Sequence, residues 1–469
     1  MKLNELASKK VAVLGVGVEG VALCNYLKGK CADISLLDQK DQDSLLADNS
    51  ISYYEELFSL LKDKKIGHRL GSDYLNDLDN FDVIFRSPGV RYLLPELQRA
   101  KSHGVLISSQ INLFFDLCPC KIIGVTGTKG KGTTSSLIKA MLEKEFKYKV
   151  CLAGNIGYPA ISLLDKIQEK DVVILELSSF QLQDLNISPH VAVVTNLSQD
   201  HLDYHANLEE YMESKKNIFK TQSNADYLVV NSSINTKYYL PAKSNILKFS
   251  ANDNVSADAA IFPIDSGSKM VCIKSDNSWQ KIVDKSQIKL VGDHNLENIA
   301  AAALVAKIFN IRLESISEAA QDFAGLPHRI EFVLERDRVL YYNDSYATNP
   351  SPTIAAIKSF SGDIILILGG SSKGADFSHL AEEVNKSSVA KVILIGDESV
   401  RIKKALMDFQ FKGEIFDAGY DFQSAVELSK KLAKPGDVVL FSPACASFDM
   451  FKNYKDRGEK YRLLVNQLG

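Results

Sequence analysis

The stretch GVTGTKGKGTTSSL, Gly124 to Leu137, decides how the rest of the chain is read. It follows the apolar segment KIIG and leads into the amphipathic run TTSSLIKAMLEKE, so a strand, a glycine-bearing turn and a helix succeed one another. Glycines in such a turn let backbone amides approach a ligand, and a helix start carries the positive end of the helix dipole. Lys129 and Lys131 add two cations at that same end, where they repel unless a polyanion lies between them. Gly127, Thr128, Lys129, Gly130, Lys131, Gly132 and Thr133 are therefore read as a triphosphate cradle. Val125 stands where a strict phosphate loop has its first glycine, and Gly132 where a hydroxyl normally meets magnesium. Thr133 and Thr134 follow at once and can supply that hydroxyl.

The same rhythm of apolar strand, glycine turn and helix recurs along the chain, in KVAVLG, DVIFRSPG, DVVILELSS, VAVVTNLS, YLVVN, DIILILGG, KVILIGD and DVVLFSPA. That alternation predicts an α/β fold of mostly parallel sheets, whose ligands lie at the carboxyl ends of the strands. At 469 residues the chain exceeds one ordinary core. Three domains are expected, at 1–110, 111–326 and 327–469, the first and last Rossmann-like and the middle one a phosphate-loop domain.

Residues around the loop sharpen its chemistry. Glu176 ends an apolar strand, a typical position for a magnesium-holding carboxylate. Asp200, His201 and Asp203 follow the end of another strand. In LEEYMESKKNIFK, residues Leu208, Tyr211, Met212, Lys215 and Phe219 fall on one helical stripe, so Lys215 points inward. On pattern alone that lysine snorkels from the stripe's edge to water. Its other reading is a desolvated amine with a chemical role.

An earlier turn, KVAVLGVGVEG, sets Gly15, Gly17 and Gly20 between a strand and a helix, with Asp38 at the end of the next strand. This is the spacing of a dinucleotide fingerprint, which fits a nucleotide-sugar diphosphate as well as a nicotinamide cofactor. FRSPGV brings Ser87, Pro88 and Gly89 to the same sheet edge, where a plain β-turn would read identically.

Composition excludes several classes. A hydrophobic fraction of 45% with 24% charged residues is that of an ordinary globular chain, and a net charge of −3 offers no field for nucleic acid. Seven scattered cysteines suggest reduced thiols rather than a disulfide framework or a zinc site. No signal peptide or long apolar run appears, so a cytoplasmic protein without a membrane anchor is expected.

Taken in order, TGTKGK, AGNIG, ELSSFQL, NLSQDHLDYH, YMESKKNIF, GDHNLENIAAA, GLPHR, YYNDSYATNP, LILGGSSKGADF and FSPACASFDMFKNY resemble the Mur ligases of peptidoglycan synthesis across the whole chain. The resemblance implies ATP-driven addition of D-glutamate to UDP-N-acetylmuramoyl-L-alanine through an acyl phosphate. It implies that Lys131 steadies the γ-phosphate, that Thr133 and Glu176 hold one magnesium, and that His201 and a carbamylated Lys215 serve a second. Asn295 and Asn298 then meet adenine, and Arg329 and Asp344 meet phosphate and ribose. Gly17, Val18, Asp38, Ser87, Pro88 and Gly89 touch the uridine nucleotide, and Asn155 the muramoyl group. Thr348, Lys373 and the amides of Ser447 and Phe448, at an expected helix start, grip the amino acid. Tyr346 stands where the family often has a lysine, and Lys129 where it commonly has asparagine. The expected partners are small molecules, and a monomer is expected. The competing readings are a family member adding L-glutamate or another amino acid, a nicotinamide-dependent dehydrogenase, and a nucleotide-binding regulator without turnover.

Overall fold

Near-continuous apolar runs make strands that are buried on both faces, and such strands assemble into parallel sheets with helices above and below. A computed structural model describes residues 2–47, 51–198, 207–240, 242–264, 267–275, 278–372 and 374–468. Three sheets organise these residues into a three-domain α/β protein.

The first sheet holds β1 (Lys10–Leu14), β2 (Asp33–Asp38), β3 (Gly67–Leu70), β4 (Val83–Arg86) and β5 (Leu106–Ser108), all parallel, in the order β3-β2-β1-β4-β5. The order reverses between β1 and β4, and a crevice opens at that switch point beyond their carboxyl ends. The turns after β1 and β4 are those carrying Gly15 to Gly20 and Ser87 to Gly89.

The central sheet contains β6 (Lys121–Thr126), β7 (Val150–Gly154), β8 (Val172–Glu176), β9 (Val191–Val194), β10 (Tyr227–Asn231), β11 (Asn245–Ser250), β12 (Ala259–Pro263), β13 (Lys269–Ser275) and β14 (Ser278–Asp284). Their order is β14-β13-β12-β11-β10-β9-β6-β8-β7; every pairing from β7 to β12 is parallel, and β12–β13 and β13–β14 pair antiparallel. The strand that feeds the phosphate loop, β6, lies between β8 and β9, so the segments leaving both neighbours flank the loop. All five residues of β8 are buried, Glu176 included.

The third sheet holds β15 (Glu331–Arg336), β16 (Val339–Asn343), β17 (Ile364–Gly369), β18 (Val389–Ile395), β19 (Glu414–Asp417) and β20 (Val438–Phe441), in the order β15-β16-β20-β17-β18-β19. Only β15 is antiparallel.

The chain forms two compact units, residues 1–287 with 296–321, and residues 288–295 with 322–469. Within the first, the helix Gln110–Leu117 serves two cores: Leu113 packs under the first sheet, while Ile111, Phe114 and Phe115 pack under the central one. Ser109 caps this helix, its hydroxyl accepting the Asn112 amide.

Candidate functional site

The phosphate loop is built on two glycines in left-handed backbone, Gly127 at φ 145° and Gly130 at φ 83°. A side chain at either would also collide, with Thr195 at Gly127 and with the Asn298 amide at Gly130. Residues leaving β9 brace the loop. The Thr195 hydroxyl donates to Lys129 O at 2.6 Å, Asn196 Nδ2 donates to the same oxygen at 2.9 Å, and Asn196 Oδ1 accepts the Lys129 amide at 2.9 Å. Lys131 opens the helix Lys131–Glu143, and its ammonium folds back to Gly127 O and Thr128 O at 3.1 and 3.0 Å. That helix has no acid in its first turn. Its positive end therefore stays available to an anion.

Thr134 and Thr133 separate into different roles. Thr134 is fully buried and donates its hydroxyl to Asn298 Oδ1 at 3.2 Å, which removes it as a metal ligand. Thr133 is half-buried at the helix start. Asn298, expected at adenine, thus locks the base of the loop from the helix His294–Ile308. Lys129 is exposed.

Lys215 is 2% exposed, so it does not snorkel to water. Asn207 caps its helix, Leu208–Lys216, by accepting the Glu210 amide, and the buried stripe is Tyr211, Ser214 and Lys215. Leu208 is 40% exposed, which corrects that position of the expected stripe, while Phe219 is buried in the core just past the helix end. The Lys215 ammonium donates to Gly127 O at 3.0 Å and reaches Thr126 Oγ1 at 3.3 Å, over the ring of Tyr211. The Tyr211 hydroxyl in turn shares a 2.9 Å hydrogen bond with Thr128 Oγ1, so the lysine and the loop rest on the same helix.

Glu176 pairs in register with Val125 of β6 and ends beside the loop. Asn155 follows β7, donates its amide to Glu176 O at 2.9 Å, and leaves an exposed side chain next to that carboxylate. Among the described residues no three His, Cys, Asp or Glu side chains cluster as a metal site. Hydroxyl and carboxylate oxygens such as Thr133 and Glu176 are nonetheless the donors magnesium favours. An ammonium is not, so Lys215 fits a metal only after losing its charge. His201, with Asp200 and Asp203, lies outside the described residues, as does Lys373.

In the first sheet, Asp38 Oδ2 accepts the Val16 amide at 2.7 Å and Oδ1 the Lys40 amide at 2.9 Å, so this carboxylate shapes the first turn. Gly15 needs its φ of 94°, and its oxygen accepts the Ser87 hydroxyl at 2.6 Å, which ties the two turns together. Gly17 caps the helix Val18–Leu27 in extended backbone, and Val18 at the crevice is 43% exposed. Beneath Ser87, Pro88 and Gly89 lies Arg86, fully buried at the end of β4. Its guanidinium donates to Val90 O at 2.6 Å and to Phe180 O at 3.0 Å, and pairs with Asp184 at 3.3 Å. Gln181 donates to Glu19 at 2.6 Å beside it. Burial pushes both the Glu19 and Asp184 carboxyls up, and the Arg86 charge opposes the rise.

In the second unit Asp344 is buried, accepting the Ser442 hydroxyl at 2.6 Å and the Ile330 amide at 3.1 Å. Burial pushes its carboxyl up to about 7. Arg329 is exposed and lies over the Tyr346 ring, which meets Tyr454 edge-on. The Asn295 amide donates to Val291 O at 2.7 Å. Thr348 is half-buried, just before the helix Pro350–Ile357. The helix start expected at Ser447 and Phe448 is a turn instead; the helix is Tyr454–Gln467, capped by Asn453. Ser447 is buried, and the Phe448 amide already donates to Ser371 Oγ at 3.1 Å.

Comparison with known proteins matches three stretches of the chain. Residues 9–109 match the Mur ligase MurD-like N-terminal domain, 125–306 the Mur ligase middle domain, and 328–445 the Mur ligase glutamate ligase domain. The chain belongs to the Mur ligase family. As a Mur ligase it is an enzyme that forms carbon–nitrogen bonds with ATP. Among its relatives, the UDP-N-acetylmuramoylalanine–D-glutamate ligase of Acetivibrio thermocellus is 39% identical, over 100% of this chain and 99% of its own. The enzyme of that name from Clostridium kluyveri is also 39% identical, over 98% and 97%. Solved structures share the fold: Thermotoga maritima MurF in complex with ADP (TM-score 0.56, 18% identity, 100% and 96% covered) and MurC of the same organism (TM-score 0.56, 17% identity, 98% and 100% covered). No helix among the described residues is long and apolar enough to cross a membrane.

Two arginines of this Mur ligase escaped the reading of the sequence. Arg86 follows the apolar run DVIF, a position that alternation alone assigns to a turn. Arg457 is fully buried and donates to Ser345 O, Cys445 O and Ala446 O, holding together the segments that carry Tyr346 and Ser447. Its signal was present: Arg457, Tyr461, Leu464 and Val465 are the buried stripe of the last helix.

Proposed function

We propose that this Mur ligase adds D-glutamate to UDP-N-acetylmuramoyl-L-alanine in peptidoglycan synthesis. The observation that carries this reading is identity of 39% to an enzyme of that name over the full length of both chains. The braced loop with Lys131 supports it, since activation of a carboxylate needs a triphosphate held at its γ-phosphate. The nucleotide-sugar is taken at the crevice of the first sheet, by Gly17, Val18, Ser87, Pro88 and Gly89, on a turn that Asp38 shapes, with Asn155 reaching the sugar.

The alanyl carboxylate attacks the γ-phosphorus of ATP, giving an acyl phosphate and ADP. The glutamate amine then attacks the acyl carbon, and phosphate leaves. The enzyme positions these groups and balances the charge that spreads over the phosphoryl oxygens. Lys131 and the amides of Gly130 to Thr133 do so at the loop. Thr133 and Glu176 would hold one magnesium ion, and His201 with a carbamylated Lys215 would serve a second; when bound, magnesium would add further charge neutralisation. Lys215, as a neutral amine, adds carbon dioxide and loses a proton to become a carbamate, which exchanges a buried cation for an anion. Arg329 and Asn295 are assigned to ATP, and Asp344 holds the Ile330 backbone. Thr348, Lys373, Ser447 and Phe448 are assigned to the amino acid. We infer a monomeric, cytoplasmic enzyme of small-molecule substrates.

The test is phosphate release with ATP, magnesium and UDP-N-acetylmuramoyl-L-alanine, comparing D-glutamate, L-glutamate and other amino acids. Release dependent on D-glutamate supports the reading. Release with another amino acid alone would reassign the substrate, as Tyr346 in place of a lysine makes worth checking, and none with any would end it.

A further inference from the structure

Cys118 and Cys120 flank one proline between the helix Gln110–Leu117 and β6, the strand that feeds the phosphate loop. Their sulfurs lie 3.5 Å apart in hydrogen-bond contact, and Cys118 Sγ also approaches Cys120 O at 3.6 Å. Pro119 fixes its own φ, which lowers the cost of ordering the turn that brings the two thiols together. Both are half-buried, whereas Cys24, Cys151, Cys272 and Cys445 are buried.

We propose that Cys118 and Cys120 form a redox-active dithiol that exchanges with small-molecule disulfides of the glutathione type. The Cys118 thiolate attacks one sulfur of the small disulfide, forming a mixed disulfide and releasing one thiolate. Cys120, losing its proton, attacks the Cys118 sulfur and releases the second. Two protein thiols are oxidised by two electrons, and one small disulfide is reduced to two thiols.

Chemistry at the pair assigns these roles. The shared hydrogen bond holds the Cys118 thiol below its ordinary range and pushes that of Cys120 well above it, so Cys118 is the attacking group. Burial pushes the thiols of Cys24 and Cys445 up to about 12 and raises those of Cys31, Cys151 and Cys272. Of the seven cysteines, Cys118 alone is lowered. A disulfide closing so small a ring is strained, and strained, accessible disulfides are the readily reduced ones. The exchange is therefore reversible rather than a permanent staple. Closing the ring ties the end of a helix that serves both cores to the residue before Lys121 of β6.

The experiment equilibrates the full chain with graded mixtures of reduced and oxidised glutathione, blocks free thiols with an alkylating agent, and maps the peptides. The expected result is paired loss of both thiols in the peptide containing Cys118 and Cys120, reversed by dithiothreitol, with Cys24, Cys151, Cys272 and Cys445 still alkylated after unfolding. Cys120→Ser should accumulate a glutathione adduct at Cys118, and Cys118→Ser should form neither adduct nor ring. The wild-type map needs no variant to fold. A pair that stays reduced in excess glutathione disulfide, a bridge from Cys118 to Cys151, or equal adducts in both variants would overturn the proposal.

Discussion

Lys131 and Lys215 converge on one acceptor, the carbonyl oxygen of Gly127, at 3.1 and 3.0 Å. Two ammonium groups on one oxygen repel, and the repulsion is relieved by a bound polyanion or by converting one amine into an anion. Lys215 is the buried one of the two, and it also reaches Thr126 Oγ1 at 3.3 Å. Replacing it by alanine should lower turnover by about 100-fold or more, the usual effect of deleting a group that balances transition-state charge. Short carboxylic acids should restore part of the activity of Lys215→Ala, and bicarbonate none. Undiminished turnover in that variant would return the lysine to a packing role.

Asn298 holds the base of the loop through the Thr134 hydroxyl. Losing one such hydrogen bond is worth about 1.4 kcal/mol, roughly a tenfold change in affinity. Asn298→Ala should therefore raise the Michaelis constant for ATP about tenfold and leave that for the nucleotide-sugar unchanged. Thr134→Val should act in the same direction. Steady-state kinetics with each substrate varied separates the two, and equal effects on both substrates would contradict a local role at the loop.

Arg86 joins the turn at Ser87 to Gly89 with Phe180 and Asp184 of the central domain. Truncating one partner of a buried ion pair costs about 3–5 kcal/mol, because the other charge remains buried. Arg86→Ala should lose about that much in urea denaturation, while Arg86→Met combined with Asp184→Leu should recover most of it. In the same variants the Michaelis constant for the nucleotide-sugar should rise more than that for ATP. A double variant as unstable as the single one would show that the pair's partners, rather than its charges, matter.

Asp344 makes stability depend on pH. Its folded carboxyl, near 7, lies above the unfolded value of 3.8, so the folded state binds the extra proton. The contribution is complete below 3.8 and is lost as pH rises through about 7. Denaturation midpoints of the wild type should therefore fall from about pH 4 to about pH 7 and level off above it, each unit of displacement being worth about 1.4 kcal/mol. Asp344→Asn should remove this slope. A wild type and variant with parallel pH profiles would show that the carboxyl ionises normally.

Nine of the parallel strands were legible as largely apolar runs: β1, β4, β6, β8, β9, β10, β17, β18 and β20 coincide with such segments. The antiparallel extension through β13 and β14 was not, because Lys269–Ser275 and Ser278–Asp284 mix charged and apolar residues at short range. Lys215 was legible as inward-facing from its helical phase, but whether it snorkelled depended on tertiary burial. Arg86 and Arg457 were missed because a buried guanidinium is defined by the carbonyls it meets, and those come from distant segments. The turn at Ser447 was misjudged since serine caps helices and turns alike.

The most direct measurement uses UDP-N-acetylmuramoyl-L-alanine whose alanyl carboxylate carries oxygen-18, with ATP, magnesium and D-glutamate. If ATP activates that carboxylate as an acyl phosphate, the released phosphate contains one oxygen-18 for each amide formed. Amide formation with unlabelled phosphate would contradict it.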